Sequence, residues 1–248
     1  MPESTTVTGM VLSAMPVGDY DKRLVILTKE LGKITAFAKG ARKQSSAFLA
    51  CCQPFSFGNF SLYPGKSAYN IMSVEMSNYF TELREDIEYV SYGLYFCEFA
   101  DYMTKENNDE IEILKLLYQT LRVITKKAIP LPLIKIIFEM KMMVLNGQAP
   151  QVFECVKCGN TSEHYVFSAD MGGLLCEACR AKAQNSVKLG TSAIYALQYI
   201  VSKEVEKLYT FHVSEEVKRE LELCTKYYLN RYIDREFKTL EFLKSLKF

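Results

Sequence analysis

Four cysteines fall in two pairs whose spacing suits a single metal ion. Cys155-Val-Lys-Cys158 is followed, after seventeen residues, by Cys176-Glu-Ala-Cys179. That lies within the C-x2-C, x15–20, C-x2-C spacing of a four-thiolate zinc site. Two intervening residues let a tight turn aim both sulfurs at one ion, and Gly159 lets the backbone curl back after the first pair. Between the pairs, His164 to Ala169 and Leu174-Leu175 read as the arms of a hairpin turned at Asp170-Met171-Gly172-Gly173. Four sulfurs leave no position open for water or substrate, so the Zn2+ expected here, one per chain, is structural. It would fold a small ribbon over residues 151–183, too poor in apolar residues to hold itself together. The alternative is a pair of redox-active thiols, but such a pair belongs where a strand meets a helix in a βαβ pattern, which the sequence lacks.

A second chemistry is electrostatic. Between residues 22 and 43 stand Lys22, Arg23, Lys29, Lys33, Lys39, Arg42 and Lys43 against one acid, Glu30. Barrel hairpins can place such residues along a groove that follows a phosphate backbone. The alternative is a solvated hairpin surface. Phe37, Phe48, Phe55, Phe57, Phe60, Tyr63 and Tyr69 stand nearby with ring faces on which bases stack, although strand aromatics usually fill a core. Signatures of catalysis are missing: there is no phosphate-binding Gly-x-x-x-x-Gly-Lys loop, no Gly-x-Gly-x-x-Gly and no His-Glu-x-x-His. His164 and His212 are the only histidines, and neither is followed two residues later by Glu, so the zinc-deaminase pattern is absent too. The expectation is a binding protein and not an enzyme.

The elements that must position these residues change character near residue 79. Apolar runs at Val7–Met15, Leu24–Thr28, Ile34–Ala38, Phe55–Tyr63 and Tyr69–Met76 are separated by turn residues and read as five strands. Five strands in about seventy residues suit a small closed barrel of the OB type, with an SH3-like barrel as the alternative. Beyond residue 79 the period lengthens to that of helices. Leu83, Ile87, Val90, Leu94 and Cys97 mark one face, and Ile111, Leu114, Leu117, Leu121 and Ile124 another. A third helix follows Pro130 and Pro132, carries methionines expected as core filler, and stops at Asn146-Gly147. Further starts fall at Gly190-Thr191-Ser192 and Ser214, the last helix running into a basic and aromatic end. The class is therefore α+β: an OB-fold barrel at 1–79, then a helical bundle at 80–248 with the zinc ribbon inserted.

Composition sets bounds. The 248 residues carry a net charge of only +1, so any attraction to nucleic acid must be local. Eight cysteines, four in a metal pattern, suit a reducing cytoplasm better than a disulfide scaffold. Met1 to Thr8 has no signal-peptide character, and polar residues break the uncharged run at 44–65, so no membrane partner is expected.

On these residues the sequence resembles the bacterial recombination mediator RecO family. The likeness lies in Gly9-Met-Val-Leu12 with Gly18 and Asp21-Lys-Arg-Leu24, and in Thr28-Lys-Glu-Leu-Gly-Lys33 with Ala38-Lys-Gly-Ala-Arg-Lys43. It continues in Gln53-Pro-Phe55, Leu62-Tyr63, Glu139-Met-Lys141, Gly147, Pro150 and the four-cysteine segment. The resemblance implies binding of single- and double-stranded DNA, annealing of complementary strands, and help for RecA in displacing the single-stranded DNA-binding protein. It implies partners in that protein, in RecR and, through them, in RecA, at a cytoplasmic, nucleoid-associated location. An acidic, aromatic-ended tail of the single-stranded DNA-binding protein needs a ring pocket beside cations. Tyr228, Arg231, Tyr232, Arg235 and Lys238 offer one if the last helix continues through them, the alternative being that the aromatics are bundle core. A zinc-ribbon OB-fold transcription or RNA-binding factor would share barrel, ribbon and basic stretch, and is the competing reading.

Overall fold

The computed structural model describes residues 4–161, 165–180 and 186–246. Alternating apolar residues produce the five strands where the alternation asks for them: β1 Thr5–Val17, β2 Asp21–Thr28, β3 Gly32–Ala38, β4 Phe57–Pro64 and β5 Tyr69–Asn78. They close in the order β1-β2-β3-β5-β4. The long β1 makes closure possible: its second half pairs with β2 and its first half with β4, with a bulge between Val11 and Ser13 where it bends. The β3–β5 contact is parallel, Ala36 opposite Tyr69. An antiparallel meander has no such pairing, so the barrel is of the OB type and not the SH3-like alternative.

Where β1 crosses β4, Gly9 lies opposite Gly58. A Cβ on Gly58 would stand 2.2 Å from the Glu75 carbonyl oxygen, so this close approach requires glycine. Val7, Val11, Leu24, Ile26, Ile34, Ala36, Phe60, Leu62 and Ile71 fill the barrel, and Ala41 and Cys52 from the β3–β4 loop close one end. Phe55 is not part of β4: it turns the chain at φ 75° and is fully buried.

Met10, Leu12 and Leu27 are buried on the outer side of the barrel. Their cover comes from α1 (Ile87–Met103) and α2 (Ile111–Lys126), which pack on β1 and β2. Tyr118 of α2 meets Phe57 at 4.6 Å between ring centroids, and Phe55 sits over Gly93 of α1. The buried face of α1 is Tyr95, Phe96, Phe99 and Ala100 with Gly93 and Cys97, while Ile87 is exposed. Apolar residues run almost all round this helix, so periodicity alone selected the wrong face; Leu83 belongs to a separate 3-10 turn, Thr81–Glu85.

The remaining helices are α3 (Leu131–Leu145), α4 (Thr191–Ser202), α5 (Glu215–Tyr232) and α6 (Lys238–Ser245). They do not gather into one bundle. Packing divides the chain into one unit of 1–127 with 237–248 and another of 128–236. The predicted last helix is two helices, because Ile233 ends α5 and Phe237 enters an aromatic socket of Tyr95, Phe99 and Tyr102 on α1, with α6 following. Thr239, in the first turn of α6, donates through its amide and hydroxyl to the Glu98 carboxylate.

In the second unit α3 is buried on nearly every side. Met140, Met142 and Met143 are fully enclosed as core filler, and the buried Glu139 is balanced by Lys135 at 2.9 Å. A three-stranded sheet, β7-β6-β8, combines β6 (Tyr165–Ser168), β7 (Gly173–Cys176) and β8 (Ser186–Leu189). The hairpin is therefore not a free ribbon short of apolar residues. β6 and β7 are buried throughout, and Phe167 packs edge-on against Tyr228 of α5 at 5.7 Å. His164 and residues 181–183 of the predicted ribbon lie outside the described residues.

Candidate metal centre and nucleic-acid interface

The first cysteine pair sits on a turn entered from Gln151, which bridges Gly173 in parallel. A Cβ on Gly173 would lie 2.2 Å from the Gln151 oxygen, so the chain approaches the hairpin this closely only at glycine. Val156 then donates its amide to the Leu174 carbonyl at 2.8 Å, fixing the turn against β7, whose last residue is Cys176. Each pair closes by its own backbone bond: Gly159 N–H to Cys155 O at 2.8 Å, Cys179 N–H to Cys176 O at 3.0 Å.

All four sulfurs lie within 4.8 Å of one another, and Cys158 and Cys176 stand 3.6 Å apart. A tetrahedron of sulfurs about 2.3 Å from zinc has edges of about 3.8 Å, so the cluster has the right size to hold one ion. Cys155 and Cys176 are buried, Cys158 is exposed and Cys179 lies between. Burial pushes the Cys155 thiol up, but hydrogen bonds from the backbone at Cys176, Cys158 and Lys157 bring it down to about 6. Hydrogen bonding to Cys158, with burial, pushes Cys179 up to about 12. Four crowded thiols thus divide into one that ionises readily and one that resists, which a divalent cation would remedy by stabilising all four thiolates.

The basic stretch does not form one patch. Val17 pairs with Asp21 and Lys22 with Ala38, so the β1–β2 turn and the end of β3 share one end of the barrel. Because β5 runs parallel to β3 from Tyr69, the β4–β5 turn with Lys66 arrives at the same end. Arg23, Lys39, Arg42 and Lys43 are exposed there. Lys22 is partly buried and donates to the Cys52 carbonyl at 2.9 Å. Lys29 and Lys33 stand at the opposite end of the hairpin, about 20 Å away at 3.3 Å per residue. Lys33 is engaged there by Asp101 at 3.0 Å.

Secondary contacts hold the loop end in shape. The Arg42 guanidinium donates to the Gly18 and Asp19 carbonyls at 3.2 and 3.1 Å, and its amide donates to Tyr20 O. Asp21 accepts from the Gly40 amide at 2.7 Å, and Lys43 lies over the Tyr20 ring at 5.3 Å. Of the seven aromatics considered, Phe55 and Phe60 are core, Phe48 and Tyr69 pack against it, and Phe57 is held by Tyr118. Phe37 and Tyr63 remain outside. Lys66 and Tyr20 were not identified from the sequence, because only the parallel β3–β5 pairing and the Arg42 contacts reveal that their turns converge.

The aromatic and basic end of the chain is dispersed. Tyr228 is buried and donates its hydroxyl to Gln148 O at 3.1 Å, so it belongs to the core of its unit. Tyr232 is exposed beside it at 4.7 Å between rings, and Arg231 is exposed with Asp170 at 3.9 Å. Since α5 ends at Tyr232, Arg235 lies beyond it and Lys238 opens α6, so the helical spacing invoked for a shared pocket does not exist.

Comparisons with known proteins bear on the whole chain. Residues 1–80 match the family description "Recombination protein O N terminal" and residues 84–241 match "Recombination protein O C terminal". A protein of Alkaliphilus metalliredigens named "DNA repair protein RecO" is 36% identical over 240 residues, covering 96% of this chain and 98% of its own length. One of the same name from Acetivibrio thermocellus is 31% identical over 241 residues, covering 96% of both chains. Another, from Clostridium perfringens, is 29% identical over 241 residues.

Proposed function

Since the chain belongs to the RecO family of DNA repair and recombination proteins, we propose that it binds single- and double-stranded DNA with the loop end of its barrel. There it anneals complementary strands and helps load RecA onto strands coated by the single-stranded DNA-binding protein. The observation that carries this reading is the convergence of Arg23, Lys39, Arg42, Lys43 and Lys66 where three barrel turns meet. Exposed cations on short turns reach backbone phosphates without reading bases, as a protein acting on any sequence requires. Annealing needs no bond to be broken in DNA, and the reading assigns the chain binding work rather than catalysis.

Within this reading Cys155, Cys158, Cys176 and Cys179 hold one structural Zn2+ that fixes the Gln151–Cys158 turn to β7. The partners are the single-stranded DNA-binding protein, RecR and, indirectly, RecA, in the cytoplasm at the nucleoid. Among the described residues no helix is long and apolar enough to cross a membrane. For the acidic tail of the single-stranded DNA-binding protein, Tyr232 and Arg231 are the accessible part of the proposed pocket. The test is strand annealing by the purified protein with bare oligonucleotides and with oligonucleotides coated by that protein. Absence of acceleration in both would remove the reading in favour of an RNA-binding or transcription factor.

A further inference from the structure

We infer that the outer face of β2, β3, β5 and β4 is a base-stacking platform for single-stranded DNA, separate in its preference from the basic loop end beside it. The inference rests on the DNA-binding reading above and adds which form of DNA this face takes.

Pairing across the barrel runs in one unbroken row: Met15 opposite Arg23, Arg23 opposite Phe37, Phe37 opposite Asn70, Asn70 opposite Tyr63. Paired residues project from the same face of a sheet. Their sequence neighbours Leu24, Ala36, Ile71 and Leu62 point into the core, so this row points out. Met15 is 60% exposed and Tyr63 39%, Arg23 is exposed, and Phe37 and Asn70 are half-buried.

Outward apolar residues at the other end of the same strands are treated differently. Met10 and Leu27 are fully buried, with α1 and α2 packed on β1 and β2 there. The row from Met15 to Tyr63 is left bare although it presents a methionine and two aromatic rings.

Strands stand about 4.8 Å apart, which puts Arg23 next to Phe37 and Tyr63 about 10 Å further round. Rings of this kind accept the faces of unpaired bases in any sequence, and an adjacent guanidinium can stack or bind the intervening phosphate. A duplex hides its base faces in its own stack and cannot use the rings. Lys39, Arg42 and Lys43 need only phosphates, so the loop end serves either form. Bases held by their faces keep their hydrogen-bonding edges free for a complementary strand, the condition that annealing demands.

Binding of three fluorescent ligands separates the two surfaces: an oligo-dT strand, an abasic strand with the same number of phosphates, and a duplex. Wild-type protein should prefer oligo-dT to the abasic strand, and Phe37→Ala with Tyr63→Ala should weaken oligo-dT binding at least tenfold. Abasic and duplex binding should stay within twofold. Phe37→Tyr should keep the preference, whereas Phe37→Leu, which fills similar volume without a ring, should lose it. Equal affinity of the wild type for oligo-dT and the abasic strand, or equal loss on all three ligands in the double variant, would overturn the platform and leave phosphate binding standing. Failure of the wild type to bind any of the three would remove the DNA-binding reading itself.

Discussion

A lysine at the loop end and a cysteine at the metal centre differ in what their removal costs. Lys39, Arg42 and Lys43 are exposed and bury no apolar surface, so replacing all three by Ala should leave the thermal midpoint nearly unchanged. Each phosphate left without its cation should lower the salt slope of single-strand binding by about 0.7, so the triple variant should show a slope smaller by about 2. Measuring affinity against salt decides this, and an unaltered slope would make the loop end an ordinary solvated surface. Lys33→Ala should instead act on stability, because its ammonium is held by Asp101. Cys176 is buried at the end of β7, so Cys176→Ser should release the metal, measurable by elemental analysis of the purified protein. Acid should release it as well. Cys155 is held down to about 6, so its thiolate persists above that pH and is lost as pH falls through it, while the thiols less ready to ionise lose the competition with protons first. Zinc content followed against pH should therefore fall on acidification, not on raising the pH from neutral.

At the scale of elements, two joints bear most on stability. Gly93 lets α1 approach the barrel: a Cβ there would stand 3.0 Å from the Phe55 ring, and Phe55 is itself fixed at a positive φ. Gly93→Val should overpack this contact and cost about 1–3 kcal/mol, read as a lowered unfolding midpoint in denaturant. The second joint is α6, eight residues long and too short to persist alone. Phe237→Ala empties its aromatic socket and should cost about 3 kcal/mol or more. Limited proteolysis should then cut near Ile233–Glu236 sooner than in the wild type. The strands were legible because alternation is a local signal, and so were the third helix between Pro130 and Asn146-Gly147 and the Ser214 cap, which accepts from the Val217 amide. The break after Tyr232 was not, because Ile-Asp-Arg-Glu carries no proline or glycine. The helix ends there while Phe237 packs into α1, a tertiary contact that overrides local propensity. β8 escaped for a similar reason: four residues of Ser-Val-Lys-Leu become a strand only by pairing with β6.

Across the whole molecule the charge sums to +1, so function depends on where the cations are gathered and not on how many there are. Sequence order placed seven of them between residues 22 and 43, but the barrel sends Lys29 and Lys33 to one end and adds Lys66 to the other. The sequence therefore indicated the region and the chemistry, while the composition of the site depended on closure of the barrel through a parallel strand pair. The four cysteines were legible as a set because the spacing of two short pairs survives folding, yet their support was not, since the hairpin between them is buried against α5. The most direct test of the DNA-binding loop end is the rate at which complementary oligonucleotides anneal with wild-type protein and with the Lys39→Ala, Arg42→Ala, Lys43→Ala variant. Annealing should be accelerated by the wild type and reduced at least tenfold in the variant at equal concentration, with zinc content and thermal midpoint unchanged. Equal acceleration by a folded, zinc-loaded variant would contradict the assignment of DNA binding to this end of the barrel.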